Sequence, residues 1–139
     1  MSFLADTNVV SEWVKPSPNP GVVAWLADTD EDQVFLSVVT LTELRYGIER
    51  MPRGQRHNRL SMWLENELPI RFEGRILTID ESVADACGKL VARSEAAGRP
   101  IEALDAFIAA TAEVYQLTLV TRNTAHFHSI VKALLNPWT

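Results

Sequence analysis

The stretch Phe3-Leu4-Ala5-Asp6-Thr7-Asn8 sets a short apolar run directly before three polar residues. This order is typical of a buried strand that ends in a polar turn, from which a helix begins. Short apolar runs continue to alternate with helical patterns along the rest of the chain. Further strands are predicted at 34–39, 75–79, 117–121 and 131–135, and helices at 40–50, 55–68, 81–97 and 101–115.

Strands and helices that alternate in this way form parallel sheets covered by helices on both faces. We therefore predict an α/β fold, a three-layer α/β/α sandwich around a mainly parallel sheet of about four to five strands. No repeat or long linker divides the chain, so residues 1–139 are predicted to form a single domain. Asn19 and Asp80 are predicted to cap helices, and Pro69 is predicted to end one.

The composition excludes several classes of protein. With 47% hydrophobic and 22% charged residues, the chain is typical of a soluble globular domain. No apolar run approaches the ~20 residues of a membrane span, and the N-terminus lacks the basic region of a signal peptide. These features predict a cytoplasmic protein without membrane contacts. The single cysteine, Cys87, excludes an internal disulfide and a cysteine-based zinc site.

The net charge of −5 bears on nucleic acid as a partner. Proteins that only coat nucleic acid are usually basic. If RNA or DNA is the partner of this chain, the phosphates need another source of positive charge. A divalent cation in an acidic pocket would supply it.

Acidic and amide side chains stand near the predicted strand ends. Asp6 follows the first strand, Glu43 lies in the first turn of the helix after the second, and Asn123 follows the fourth. Asp105 lies in the apolar helix before the fourth strand. In parallel α/β sheets, ligands bind beyond the carboxyl ends of the strands, so the fold can bring these residues together. Clustered carboxylates favour Mg²⁺ or Mn²⁺, which indicates metal-assisted hydrolysis of a phosphodiester.

Each of these residues also has a purely structural interpretation. Asp6 can cap the first helix, and Thr40 with Glu43 matches a capping box. Asn123 can be a turn residue. Asp105 can be a solvated side chain at the rim of its helix, although a charge among apolar neighbours is costly to bury without a partner.

Four segments resemble a known family in the same order along the chain. They are FLADTNVVSE at 3–12, SVVTLTELRYG at 37–47, LDAFIAATA at 104–112 and LVTRNTAHF at 119–127. Together with the closing Asn136-Pro137-Trp138, they are similar to PIN-domain proteins. More narrowly, they resemble VapC- and FitB-type toxins of bacterial toxin–antitoxin systems. The resemblance covers nearly the whole chain.

The resemblance implies a metal-dependent endoribonuclease that hydrolyses RNA phosphodiester bonds with a water activated by Mg²⁺ or Mn²⁺. The expected products carry 5′-phosphate and 3′-hydroxyl ends. The implied catalytic and metal-binding residues are Asp6, Glu43 and Asp105, with Asn123 at a fourth position where many relatives carry Asp. Thr7 resembles a hydroxyl residue that positions a ligand or a water.

The resemblance also implies partners. A small antitoxin would cover the active site and insert a basic side chain, and operator DNA would be contacted only through that antitoxin. The toxin itself would form a homodimer or a larger toxin–antitoxin assembly. His126 departs from the family pattern, because relatives often carry an acid at its position.

Five arginines fall within fifteen positions of the chain: Arg45, Arg50, Arg53, Arg56 and Arg59. One interpretation is a surface that binds RNA phosphates beside the acidic pocket. The other is a solvated helix face on which the arginines pair with nearby glutamates.

Two alternatives to an active nuclease follow from the same residues. A catalytically weak nuclease-fold module would bind a DNA-binding antitoxin and co-regulate transcription with it. The intact Asp6, Glu43 and Asp105 argue against this alternative, while the departures at Asn123 and His126 keep it open. A phospho-acceptor receiver domain would need adjacent early acids and an Asp after the third strand, where Asp80-Glu81 fits a helix cap better.

Overall fold

Five short strands form one parallel sheet in the computed structural model, which describes residues 1–139. The strands are β1 (Phe3–Ala5), β2 (Val34–Ser37), β3 (Ile76–Leu77), β4 (Thr118–Val120) and β5 (Leu134–Leu135). Their order across the sheet is β3-β2-β1-β4-β5, and every neighbouring pair is parallel. The central strand β1 pairs with both β2 and β4. The carboxyl ends of these three strands therefore lie side by side.

Helices connect the strands. They are α1 (Thr7–Trp13), α2 (Pro20–Asp28), α3 (Val38–Glu49), α4 (Gln55–Met62), α5 (Leu68–Arg71), α6 (Glu81–Ala96), α7 (Ala103–Tyr115) and α8 (Thr124–Phe127). A 3-10 turn at Glu31–Gln33 precedes β2, and a π-helical turn at Trp63–Glu67 joins α4 to α5. None of these helices is long and apolar enough to cross a membrane.

The hydrophobic core consists of two clusters, one on each face of the sheet. Leu4 and Leu119 belong to the cluster formed with α6 and α7. Ala5 and Val120 belong to the cluster formed with α1 to α4. Because successive residues of a strand point to opposite faces, the two clusters lie on opposite sides of the sheet. The predicted three-layer α/β/α architecture is confirmed.

Two predicted helix caps are present. The side chain of Asn19 accepts a hydrogen bond from the Gly21 backbone N–H at 3.0 Å, at the start of α2. The side chain of Asp80 accepts one from the Val83 N–H at 3.0 Å, at the start of α6. Such caps satisfy backbone donors that have no partner inside the helix.

The second strand is shorter than predicted, and this changes the environment of Glu43. β2 ends at Ser37, whose hydroxyl accepts a hydrogen bond from the Val39 N–H at 3.0 Å and caps α3. Thr40 therefore lies inside the helix and is fully buried. The capping-box interpretation of Thr40 and Glu43 is wrong, because Ser37 occupies the capping position.

The chain does not leave the helical conformation before Pro69. The π-helical turn is closed by a bond from the Leu68 N–H to the Trp63 carbonyl, five residues earlier. Pro69 then occupies one of the first two positions of α5, where its missing N–H costs no hydrogen bond within that helix. The prediction that Pro69 ends this helix is therefore wrong.

Candidate active site

Asp6 stands at the junction of β1 and α1 and is only 4% exposed. One carboxylate oxygen, Oδ1, accepts the Thr7 backbone N–H at 2.7 Å, so Asp6 does cap α1. The other oxygen, Oδ2, accepts a hydrogen bond from the Thr121 hydroxyl at 2.8 Å and a longer one from the Asn8 amide at 3.4 Å. Asp6 is thus held on both oxygens while it faces the carboxyl edge of the sheet.

Glu43 lies on α3 and is oriented by α1. The Thr7 hydroxyl donates a hydrogen bond to Oε1 of Glu43 at 2.5 Å. The hydroxyl oxygen of Thr40 lies 3.1 Å from that of Thr7. Because a hydroxyl carries one proton, the bond to Glu43 uses the donor capacity of Thr7. Thr7 therefore fixes the position of Glu43 beside the start of α1.

Asp105 lies in the first turn of α7 with a half-buried side chain that is 24% exposed. Its Oδ2 is 3.6 Å from Nδ1 of His126 on α8. The carboxylate is thus neither freely solvated nor deeply buried. It lies at the mouth of a groove that Glu102 and His126 also line.

The three acids form one electrostatic cluster. Burial raises the pKa of Asp6, and the negative charge of Asp105 adds to this effect, while the bonds from Thr121 and Thr7 oppose it. Burial also raises the pKa of Glu43, against the bond from Thr7, and the charges of Asp6 and Asp105 raise it further. The pKa of Asp105 is raised by burial and by Glu102, and lowered by His126. Like charges close together favour the protonated form of each acid.

The oxygen donors of this cluster fit a hard divalent cation. No group of three or more His, Cys, Asp and Glu side chains is close enough to form a metal-binding cage. Mg²⁺ does not require one, because it usually takes one or two protein carboxylates and completes its shell with waters and substrate phosphates. Carboxylate oxygens suit Mg²⁺ and Mn²⁺, and the cluster contains no thiolate that would favour zinc.

The side chain of Asn123 makes no hydrogen bond to the carboxylates. It is exposed and makes no other hydrogen bond. The backbone N–H of Asn123 donates to the Thr121 hydroxyl at 3.0 Å. The amide that contacts the acidic cluster belongs instead to Asn8, whose Nδ2 reaches both Asp6 and, at 3.3 Å, Thr121.

Thr121 is a site residue that sequence reasoning missed. It is fully buried and its hydroxyl bonds to Asp6 across 115 positions of the sequence. The sequence does contain a signal for this residue, because Thr121 directly follows the apolar run of β4 just as Asp6 follows the apolar run of β1. Polar residues at the ends of neighbouring parallel strands meet at the same edge of the sheet.

The predicted arginine surface divides into two parts. Arg45 bonds to Glu65 at 2.9 Å and to the Ser61 hydroxyl at 3.2 Å, as the solvated-face interpretation expects. Arg50 lies over the ring of Tyr46. The exposed arginines on or beside α4 form no salt bridge, and they are Arg53, Arg56 and Arg59.

One of these arginines lines a pocket together with one of the acids. Arg56 and Glu43 line the same pocket of about 170 Å³ between α1, α3 and α4, together with Lys15. The arginine surface therefore begins next to the carboxylate cluster.

Comparison with known proteins finds a matching family model and similar sequences. The sequence profile of the PIN domain matches residues 3–132. The chain is 42% identical over 136 residues to Toxin FitB of Neisseria gonorrhoeae, with 98% of each chain aligned. It is 35% identical over 136 residues to VapC ribonuclease Y4jK of Sinorhizobium fredii, covering 98% of this chain and 97% of the relative.

A solved structure agrees with these sequence relatives. The structure of FitAB bound to an IR36 DNA fragment superposes with a TM-score of 0.91 at 39% identity. The match covers 99% of this chain and 96% of the other.

Proposed function

This chain belongs to the PIN-domain family, and we propose that it is the toxin of a toxin–antitoxin pair and acts as a metal-dependent endoribonuclease. The observation that carries the proposal is that burial raises the pKa of each of Asp6, Glu43 and Asp105, and that the charge of Asp105 adds to this effect at both of the other acids. Asp6 follows β1, Glu43 lies on α3 and Asp105 lies on α7. Carboxylates crowded in this way are typical of a cation site.

The residues around the cluster suit phosphodiester hydrolysis. Asp6 and Asp105 would hold Mg²⁺ or Mn²⁺, which when bound supplies Lewis-acid chemistry, neutralising phosphate charge and acidifying a water. Glu43 would accept the proton of the attacking water, and its raised pKa brings it closer to neutral pH, where general bases are most effective. Thr7 and Thr121 would position Glu43 and Asp6. The exposed amide of Asn123 would contribute an oxygen ligand.

The acidic pocket also suits an inhibitory partner. An arginine from an antitoxin would bind the crowded carboxylates through charge-assisted hydrogen bonds and take the place of a cation. The similarity to FitAB, whose structure contains a DNA fragment, supports a second role for the complex in binding operator DNA through the antitoxin. We further propose that a single domain of residues 1–139 acts on RNA in the cytoplasm as a homodimer or within a larger assembly.

The test is cleavage of total cellular RNA by the purified chain, with the ends mapped in the presence of Mn²⁺ and in chelator. Asp6→Asn, Glu43→Gln and Asp105→Asn should each abolish metal-dependent cleavage while circular dichroism stays unchanged. Asp85→Asn is the matched control, because Asp85 is an exposed carboxylate paired with Lys89 at 3.1 Å. Full activity in a folded Asp105→Asn protein would contradict the proposal and favour the non-catalytic binding module.

A further inference from the structure

A continuous groove leads away from Asp105 between the end of α6, α7 and the segment before β5. Its first section, about 480 Å³, begins at Asp105 and His126 and reaches Arg99 and Ser129. Arg99 and Ser129 also line the middle section of about 350 Å³. Arg93 lines both the middle section and a third section of about 460 Å³. Because neighbouring sections share these side chains, the three hollows lie next to one another in a row along the surface.

Positive charge is concentrated in the part of the groove beyond the acids. Arg93 and Arg99 line the middle section, and no carboxylate lines it. Lys132 and Arg93 line the far section, where Glu113 is the single acid. This arrangement contrasts with the net charge of −5 on the whole chain. Three cations, Arg93, Arg99 and Lys132, thus line the path beyond the acids.

The cations of the groove are available to a ligand. Arg99 and Lys132 form no salt bridge. Arg93 approaches Glu113 at 3.8 Å, but both side chains are more than half exposed, so this pair is weak.

The backbone at Arg99 is fixed by the way α6 ends. Gly98 adopts a φ of +72°, and its N–H bonds to the Glu95 carbonyl at 3.0 Å. The Arg99 N–H bonds to the Ser94 carbonyl at 2.8 Å. These two bonds form the Schellman motif, which satisfies the last carbonyls of the helix and sets the exit direction of the chain. Arg99 is thus held at the junction between the first and middle sections.

We propose that this groove binds the sugar-phosphate backbone of single-stranded RNA on one side of the cleaved bond, with Arg99, Arg93 and Lys132 contacting phosphates. The inference rests on the proposed function, because the groove is continuous with the carboxylate site where cleavage would occur. A positive groove that follows the backbone is the usual means of binding single strands. Its walls contain no Phe, Tyr or Trp side chain for base stacking, and His126 at the acidic end is the single aromatic ring, so most of the contacts would be with the backbone rather than with the bases.

Binding of a labelled 16-nucleotide single-stranded RNA, titrated with salt, tests the groove. All proteins would carry Asp105→Asn, so that no cleavage occurs. In this background, Arg93→Ala with Arg99→Ala should weaken binding roughly tenfold. It should also reduce the slope of log K against log salt by about 1.4, since each single-strand phosphate contact contributes about 0.7.

Two further variants give the experiment matched controls. Lys89→Ala removes one positive charge from the same helix, one turn before Arg93 and outside the groove, and should leave the slope unchanged. Glu113→Gln removes the acid of the far section and should tighten RNA binding. If Lys89→Ala reduced the slope by as much per charge removed as the two groove substitutions do, general charge attraction would explain the binding and the inference would be wrong.

Cleavage by proteins with Asp105 intact separates this inference from the proposed function. The double groove variant should lose rate on a 16-nucleotide substrate and retain it on a 4-nucleotide substrate that is too short to fill the groove. If the wild type cleaves and the variant matches it on both, the groove inference is wrong and the ribonuclease proposal stands. If the wild type cleaves no RNA, both fail. If the variant binds RNA normally but loses affinity for the antitoxin, the groove is a protein interface and the inference is wrong.

Discussion

The hydroxyl of Thr7 and the carboxylate of Glu43 are joined by a hydrogen bond of 2.5 Å across 36 positions of the sequence. The bond connects the first residue of α1 to the middle of α3 and fixes one acid of the cluster relative to another, because Asp6 precedes Thr7. It also lowers the pKa of Glu43 against the effect of burial.

Thr7→Val should therefore impair catalysis more than folding. The isosteric change removes the donor to Glu43, and a hydrogen bond to a charged group contributes about 1.5–3 kcal/mol, which corresponds to a tenfold or greater loss of kcat/KM. The pKa of Glu43 should rise further, so the acid limb of the pH–rate profile should move to higher pH. Thr7→Ser keeps the hydroxyl and should restore both. An unchanged profile in Thr7→Val would show that Glu43 is not the titrating group.

Asp105→Asn should stabilise the protein in chelator. Burial raises the pKa of Asp105, so the folded state holds its proton more tightly than the unfolded chain, where the pKa is near 3.8. Asp105 therefore stabilises the folded state most at pH values below the pKa of the unfolded chain. This contribution is lost as the pH rises through the pKa of Asp105 in the folded state. At pH 7 the charged side chain is a net cost, and its removal should raise Tm by about 2–5 °C.

The control and the metal response complete this prediction. Asp85→Asn, which neutralises an exposed and paired acid, should not raise Tm. Mn²⁺ should raise the Tm of the wild type by binding the folded state, and should do so less in Asp105→Asn. If Mn²⁺ does not raise the Tm of the wild type, and Asp105→Asn has the same Tm as the wild type in chelator, the acids are not destabilised by like charge.

Thr121→Val should destabilise the protein and affect the site through Asp6. The substitution leaves one oxygen of a buried carboxylate without its 2.8 Å donor, which costs about 1–3 kcal/mol of unfolding free energy. Because that bond lowers the pKa of Asp6, its loss should raise the pKa further and increase the Mn²⁺ concentration needed for cleavage at pH 6. Thr121→Ser should behave as the wild type. Urea unfolding and metal titration give the two readouts, and a neutral result in both would contradict the role assigned to Thr121.

Asn123→Asp should lower the Mg²⁺ concentration required for half-maximal cleavage. An added carboxylate at this exposed position supplies charge that the amide lacks, and hard cations prefer it. Asn123→Ala should change stability by less than about 0.5 kcal/mol, because the side chain makes no hydrogen bond. Asn58→Asp, an equal charge change on α4, is the control. If the metal titrations of the wild type and both Asn123 variants coincide, Asn123 is a turn residue only.

The sequence by itself determined the order of the strands and helices and the residues at which several helices begin. Alternating short apolar runs and helical patterns predict the parallel sheet, and local chemistry predicts the caps at Asn19 and Asp80. These features depend on residues close together in the chain. Asp6, Glu43 and Asp105 could also be chosen from the sequence as candidate site residues. The reason is that ligands bind beyond the carboxyl ends of parallel strands, near which these residues were predicted to lie.

Only the tertiary structure decided which side chains meet. Thr121 reaches Asp6 across 115 positions, and neither residue contains local information about the other. The π-helical turn that carries Pro69 into α5 depends on how that segment packs, which overrides the local preference of proline. Likewise, Arg93 and Arg99 line neighbouring hollows because Ser129, Ile130 and Lys132 pack beside the end of α6, more than thirty positions further along the chain. Distant contacts of this kind are set by packing in three dimensions, which residue patterns along the chain do not encode one by one.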